Sequence, residues 1–568
     1  MLQINKFCLH TISLCLYIGN ANATVFQPLP DDIREPEGIY YPSPPNVLRI
    51  DVQTRIGTGP CVTGNYSGCT LDDVNNDINP YDEFKPEIKV HFTADDFPDD
   101  GNTSNATLRL RGASSRLEDL KSYRIKLASK KNLWREERRL QVNKHASDLT
   151  RVRNKLSFDL MATIPHLPSF RTQFNNLFID GTNYGLYTHI EQAGKEYLLR
   201  RNWDKDSGIY KAQDFDFGMR KELLLDDQGA PLDVKAFETI LEIKRGTNSR
   251  ALLEMIAAVN DENNDFKTDV LDKYFNLNNF LTWEAINILM GNTDVTTYNY
   301  YLFNPKDTRK FYFLPWDFDS TWGYDWDPAT IARNYVPGKR YQGPHNIWVT
   351  TFGRRFLSQP GALDLLNEAV REIKENYLTP EKIQSFADSY YSLVFPFIST
   401  YPDIELLDTE QTTETEILAE YNKVYNGLVN AVQMNYDRYL KVQQSPMPFY
   451  YGALPYMDGT NIVFTWEAAI DLQGDNVTYD LEIADKPEFS PADIKFSIKN
   501  LTNTTYTTQW MLPRGDYYYR VTARDTSNPE ENWQLSFEEI YVEETGLTAY
   551  GVEPFAINID GRATPRPR

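Results

Sequence analysis

Histidine is scarce in this chain, six in 568 residues, and none of the six stands in an HExxH arrangement, so the helical zinc-hydrolase pattern is absent. No GxxxxGK[ST] stretch occurs, which removes the phosphate cradle of P-loop enzymes. Positive charge is short: 58 Lys and Arg face 80 Asp and Glu, a formal charge of −22. Such a surface repels phosphate backbones and favours basic partners, so no nucleic-acid partner is expected. Long apolar runs are missing. The one near the N-terminus, Phe7 to Ile18, is short and diluted by His10, too little to span a bilayer. It follows Lys6 and precedes Ala21-Asn22-Ala23, a small-x-small pattern that reads as a signal peptide cleaved after Ala23. The expectation is a secreted or extracytoplasmic protein with no transmembrane segment in the mature chain.

Cysteine is also sparse, four in all. Cleavage would remove Cys8 and Cys15 and leave Cys61 and Cys69 in "GPCVTGNYSGCTLD", an even pair that predicts a short-loop disulfide in an exported chain. Two cysteines without a nearby histidine make only half a zinc site. Sequons at Asn65, Asn102, Asn105, Asn476, Asn500 and Asn503 would carry glycans in a host that glycosylates exported proteins.

What is present is a change of texture along the chain. After a Pro-rich lead-in come alternating strands, "VLRIDVQT", "EIKVHF", "TLRLRG" and "YRIKL". Helical spacing begins at Ser147 in "SDLTRVRNKLSFDLMATI", and "FNNLFIDGTNYGLYTHIEQ" reads as two strands around Asp180-Gly181. The middle is helical, with apolar residues three and four apart in "RALLEMIAAVN", "DFKTDVLDKYF" and "LNNFLTWEAINILM". A hairpin follows in "YNYYLFNPKDTRKFYFLPWDFD", then more helix as far as a linker, "VQQSPMPFYYGALP". Beyond it, short strands such as "NIVFTWEAA", "VTYDLEIAD" and "YYYRVTARD" are spaced as in a β sandwich. Trp466 on an early strand, with Pro513 and Tyr517 ahead of Tyr519, Val521 and Ala523, resembles a fibronectin type III module. The fold class expected is α+β. A two-lobed unit at 24–445, with a β-rich lobe at about 46–190 and a helical lobe at about 191–445, precedes an all-β sandwich at 450–545. A tail at 546–568 closes the chain.

The chemistry concentrates where the helix "LTWEAINILM" gives way to "GNTDVTTYNYYLFNPKDTRKFYFLPWDFDSTWG". Asp294 and Asn299 lie five apart on the loop leaving the helix, and the hairpin delivers Asp317 at its end. Asp319 shares a face with Asp317 if "WDFD" is extended. Asp and Asn are also ordinary turn residues; the joint spacing and element order carry the signal. Helix, Asp, Asn five later, hairpin, Asp is the order that protein kinases use, with one carboxylate at the acceptor hydroxyl and an Asn and an Asp on the metal. A literal Asp216-Phe217-Gly218 occurs earlier, in "KAQDFDFGM". It precedes Asp294 instead of following it, and no helix, loop and hairpin lead into it. It reads as a strand running into a turn at Gly218, a decoy.

The stretches "LRLRGASSRLEDLKSYRIKL", "TRVRNKLSFDLM", "FIDGTNYGLYTHIEQ", "GNTDVTTYNYYLF" and "PWDFDSTWG", spread over Leu108 to Gly323, resemble the CotH kinase family, named for a spore-coat protein. The resemblance implies a divergent protein-kinase-like fold that uses ATP and Mg²⁺ or Mn²⁺ to phosphorylate Ser or Thr of proteins. Asp294 then matches the catalytic Asp, and Asp317 the metal-binding Asp, with Asn299 and Asp319 as further metal candidates. Against that mechanism Gly112, Ser114 and Ser115 offer backbone N–H groups to phosphates. Lys126 is the candidate phosphate-gripping lysine and Lys121 its rival. The backbone from Glu191 to Ala193 takes the place of an adenine-binding hinge. The helix that should supply a glutamate partner has none: either Asp159 substitutes or the pair does not exist. No APE-type segment is visible.

A calcium-loop reading of "DVNNDINPYDEF" fails because Ile78 stands where Gly is needed and Phe84 where Glu is needed. The expected partner is a protein substrate, basic and Ser-rich to complement the acidic chain, with surface or matrix contact through the C-terminal module. Two other functions remain open: AMP or glutamyl transfer on the same fold, and a non-catalytic adhesion or structural role.

Overall fold

Seven strands build the first layer, alternating cleanly in the third and fourth and buried on both faces over much of the fifth to seventh. In Val47–Thr54 (β1) the buried positions include Leu48, Ile50 and Val52. Ile88–Ala94 (β2), Ala106–Leu110 (β3), Tyr123–Leu127 (β4) and Arg139–Asn143 (β5) continue the sheet, and Thr172–Ile179 (β6) and Thr182–Ile190 (β7) complete it. The order β1-β2-β3-β4-β5-β7-β6 closes into a barrel because β1 also pairs in parallel with β6. Ile50, Val90, Leu108, Ile125, Leu140 and Leu177 fill it. Closure removes the exposed edges an open sheet would leave. This is a computed structural model, describing residues 27–41, 45–80, 82–97, 101, 103–129, 133–323, 344–459, 461–542, 547–557 and 563–565. The expected signal peptide and the sequon at Asn102 lie outside them.

The helix expected from Ser147 begins only at Arg153 and runs to Met161. Asp148 is the reason. Its carboxylate accepts from the Thr150 N–H at 2.9 Å and from the Arg153 N–H at 3.0 Å, a local bond that competes with the helical ladder. Arg151 meanwhile takes a left-handed φ of 59°.

The second layer is helical with a small sheet set into it. Two strands not anticipated from the sequence, Gly208–Ala212 (β8) and Leu241–Arg245 (β9), join the hairpin Tyr300–Asn304 (β10) and Tyr312–Pro315 (β11) in the order β11-β10-β8-β9. The helix Leu277–Met290 is capped by Asn276, which accepts from the Asn279 N–H, and stops at Gly291 with φ 71°. A Cβ at Gly291 would stand 2.6 Å from the Asn435 amide nitrogen, so both backbone and space require glycine there. Helices Ala362–Asn376, Pro380–Ile398 and Glu414–Val442 complete the layer.

The C-terminal unit is all strand. Tyr456–Asp458 (β12), Asn461–Thr465 (β13) and Thr505–Thr507 (β16) form one sheet. Val477–Ala484 (β14), Ile494–Leu501 (β15) and Gly515–Asp525 (β17) anchor the other. Between them pack Phe464, Trp466, Tyr519 and Phe555. The Tyr517 hydroxyl donates to the Pro513 carbonyl at 3.0 Å. Val552–Ile557, inside the expected tail, pairs along β17. Cys61 and Cys69 form a disulfide. Among the described residues no helix is long and apolar enough to cross a membrane.

Candidate active site

The loop after Gly291 is tied at every turn. The Asn292 N–H donates to the Asn287 carbonyl at 2.8 Å, and the Asn292 side chain accepts from the Asp294 N–H at 3.2 Å. Asn299, buried and left-handed at φ 63°, donates its amide to the Asp294 carbonyl at 2.9 Å and to the Asp294 carboxylate at 2.8 Å. The five-residue spacing is therefore a side-chain bridge that fixes where the Asp294 carboxylate points.

Tyr300 pairs with Pro315 across the hairpin, so Asn299 and Asp317 leave the same end of the sheet. "WDFD" is not extended, contrary to the expectation. Asp317 takes φ 61° while Trp316 and Phe318 sink into the core. The two carboxylates nevertheless stay neighbours. Asp317 is pushed up to about 6, first by burial and then by the charge of Asp319, with Lys211, Arg111 and His145 opposing. Burial is the largest influence on Asp319 and raises it, but the hydrogen bond to His145 (Nδ1 to Oδ2 at 3.2 Å), the charge of His145, a backbone hydrogen bond and Arg111 together hold it below the usual range.

Three basic residues thus face the carboxylates, and the sequence reading named none of them. Arg111 leaves the end of β3. Lys211 lies on β8 opposite Tyr301. His145 follows β5, left-handed at φ 50°. Burial lowers both Arg111 and Lys211, and for each the charge of Asp317 is the first opposing influence. The available signals were slight: Arg111 directly precedes Gly112, and Lys211 opens the stretch that contains the decoy.

Gly112 lies next to this group through Arg111. Its φ is 86°, and a Cβ there would stand 2.0 Å from the Ser115 hydroxyl oxygen. Ser114 and Ser115 begin the short 3₁₀ turn Ser114–Arg116. Arg116 anchors that turn, donating to the Gly112 carbonyl at 2.8 Å and to the buried Asp77 carboxylate at 2.6 Å.

Lys126 is not brought to the carboxylates. On β4 the odd positions Tyr123, Ile125 and Leu127 fill the barrel, so Lys126 points outward beside Glu87, Arg124, Arg138 and Arg139. Lys121 donates to the Arg116 carbonyl at 2.7 Å. Asp159 pairs with Lys155 one helical turn away at 2.8 Å and accepts from Thr172 at 2.7 Å, serving neither candidate lysine.

Glu191 and Ala193 sit elsewhere again. The Glu191 N–H donates to the Arg171 carbonyl at 2.9 Å. Its buried carboxylate accepts from Arg200 at 2.8 Å and from Arg201 at 3.0 Å. Burial raises it, yet Arg201, Arg200 and Arg171 together hold it at about 2. Ala193 is part of the main core. The decoy behaves as a turn: the Asp216 carboxylate accepts from the Gly218 N–H at 2.9 Å. The left-handed residue there is Phe217, φ 62°, not Gly218.

The match to known proteins falls on these elements. A family model described as CotH kinase protein matches residues 108–437. The inner spore coat protein H of Bacillus subtilis (strain 168) is 28% identical over 322 residues, covering 55% of this chain and 83% of that protein. Among solved structures, the Helicobacter pylori proinflammatory kinase CtkA aligns over 56% of this chain and 94% of its own, at 12% identity and a TM-score of 0.25. A Fn3-like protein from Clostridium thermocellum aligns over 16% of this chain and 84% of its own, at 28% identity and a TM-score of 0.12. At those TM-scores neither superposition fixes the architecture. The family match spans more than half of the chain and includes the Asp294 loop, the hairpin and Asp317: the chain belongs to the CotH kinase family.

Proposed function

We propose that this protein is an exported, metal-dependent kinase that transfers the γ-phosphate of ATP to Ser or Thr of a protein substrate. One observation carries the reading. Two adjacent carboxylates, Asp317 and Asp319, repel each other in a half-buried place while Arg111 and Lys211 converge on the same point. Paired carboxylates whose charge raises one of them suit a divalent cation, and flanking cations suit phosphate oxygens. The residues therefore fit Mg²⁺ or Mn²⁺ with a nucleotide. When bound, the cation neutralises charge on the β and γ phosphates.

The chain's own groups supply the rest. Arg111 and Lys211 hold phosphate oxygens, in place of Lys126. The turn that starts at Gly112 lies against the same phosphates. Asp294, oriented by Asn299, accepts the proton of the substrate hydroxyl as its oxygen bonds to the γ-phosphorus and the bond to the ADP oxygen breaks. The charge of −22 favours a basic acceptor, and a Ser-rich one would present many hydroxyls.

The test uses purified protein with γ-labelled and α-labelled ATP in parallel, Mg²⁺ or Mn²⁺, and a basic acceptor protein. Transfer of γ label alone, lost in Asp294→Ala and Asp317→Asn, is the expected result. Transfer of α label would make it an adenylyltransferase. No transfer, with no nucleotide-induced thermal shift, would leave a binding or structural role.

A further inference from the structure

A short segment of the helical layer reaches into the mouth of the barrel. It is the 3₁₀ turn Asp403–Leu406. The Asp403 side chain is buried and divides its carboxylate between two barrel strands. One oxygen accepts from the Lys144 ammonium at 2.7 Å, at the end of β5, and the other from the Leu186 N–H at 2.8 Å, on β7. Room for it depends on Gly185, where a Cβ would stand 2.0 Å from the Asp403 carboxylate. Lys144 also donates to the Tyr184 carbonyl at 2.7 Å and lies over the Tyr187 ring.

The same turn holds a second cation. Arg151 donates one guanidinium nitrogen to the Leu406 carbonyl at 2.8 Å and another to the His145 carbonyl. His145 is thus gripped from both sides: Lys144 precedes it, and Arg151 binds its carbonyl. Its left-handed φ of 50° is a conformation a non-glycine residue keeps only when its surroundings impose it. The ring so placed hydrogen-bonds Asp319, and its other nitrogen is buried with no protein partner among the described residues.

We infer that Asp403 and Arg151 are positioning residues for the carboxylate pair: the Asp403–Leu406 turn fixes the backbone of His145, and His145 sets the rotamer of Asp319. The two layers then meet correctly at the cation only when this turn is seated. Nothing in the resemblance or the motif spacing pointed to residues 403–406. The inference rests on the reading of Asp317 and Asp319 as a cation site, and its test separates the two.

Affinity for Mn²⁺ with a non-hydrolysable ATP analogue is measured by calorimetry on the full chain, alongside hydrogen exchange of peptides covering 144–152 and 316–322. Asp403→Ala is expected to weaken Mn²⁺-nucleotide affinity about tenfold or more, as supporting residues around metal ligands do. His145→Gln should cost a similar factor, and the double variant little more than either alone, because both act on one element. Asp403→Asn, which keeps an acceptor for the Leu186 N–H, should fall between. Exchange should quicken at 316–322 in Asp403→Ala. If Asp403→Ala fails to fold, Arg151→Lys keeps the charge, loses the bridge between His145 and Leu406, and is read the same way. Lower thermal stability with affinity within about twofold, or losses that multiply in the double variant, would overturn the inference. If the wild-type protein binds no Mn²⁺-nucleotide, the cation-site reading fails. Exchange at 316–322 then decides the positioning role alone, faster exchange supporting it and unchanged exchange overturning it.

Discussion

Two clusters of carboxylates and cations in this protein, one buried around Glu191 and one half-buried around Asp317, come out opposite. Around Glu191, three arginines surround one carboxylate, Arg200 and Arg201 in hydrogen-bond contact and Arg171 at 3.9 Å, and the carboxyl is held at about 2. Around Asp317, two carboxylates crowd together, Arg111 and Lys211 are both lowered, and one carboxyl is pushed up to about 6. The first cluster is complete within the protein. The second sets two carboxylates side by side, so their repulsion persists although Arg111 and Lys211 match their formal charge, and a cation shared between the two would relieve it. Buried ions that satisfy one another are costly to break singly, and carboxylates left in conflict mark a candidate place for a ligand cation.

The largest effect separates the two clusters by function. Asp317→Asn is expected to lower phosphoryl transfer by roughly 10³-fold, about 4 kcal/mol of barrier, while the melting temperature stays level or rises because a repulsion is removed. Equal losses of activity and stability would break the contrast. Glu191→Ala should do the reverse. Removing one partner of a buried ionic cluster costs about 3–5 kcal/mol of stability, read in urea unfolding. The sign in acid follows from the same group. A carboxyl held at about 2, below its ordinary value of 4.5, contributes fully above 4.5 and loses that contribution as pH falls through 2.

A third carboxyl challenges the rule. Glu284 lies wholly buried on the helix Leu277–Met290, with no hydrogen-bond partner for either oxygen among the described residues. Burial alone raises it to about 8, so at neutral pH it is mainly the uncharged acid. Its contribution is fully present below the ordinary value of 4.5 and is lost as pH rises through 8. Glu284→Gln should therefore flatten the fall in stability across that window and raise stability at pH 8, measured as melting temperature against pH. Among the described residues no cation faces this group, so the cation-site reading rests on convergent charges and not on a lack of partners. Loss of transfer in Glu284→Gln would blur that distinction.

The legible parts of the molecule are the local ones. The helix Leu277–Met290 was read residue for residue because Asn276 caps it and Gly291 ends it. The hairpin that delivers Asp317 announces itself by its Asn-Pro turn. The barrel closure was hidden, since it rests on a parallel pairing of β1 with β6, more than a hundred residues apart. The cations were hidden for the same reason: Arg111, His145 and Lys211 come from three strands of two layers. Lys126 misled because its alternation on β4 was visible while the surroundings of its outer face were not. Glu191 was placed by its strand-to-helix position, and only packing reveals that its N–H is already used.

The smallest expected effect is the one that tests how far three letters can be trusted. Asp216 and Asp317 both precede a phenylalanine just beyond a strand of one sheet, and Asp216 alone completes the Asp-Phe-Gly tripeptide. Their surroundings differ. The Asp216 side chain, 32% exposed, closes its own turn on the Gly218 N–H and meets Arg220 at 3.0 Å. A partly exposed pair of that kind is worth about 0–1 kcal/mol, and Asn accepts the same turn hydrogen bond. Asp216→Asn should leave stability within roughly 0.5 kcal/mol and transfer within about twofold. A loss of transfer as large as that of Asp317→Asn would mean that this turn reaches the nucleotide through Thr297, whose carbonyl accepts from the Phe215 N–H at 2.7 Å. The cation site would then extend from the hairpin to the end of β8, and the contrast between complete and incomplete charge clusters would need redrawing at Asp216 first.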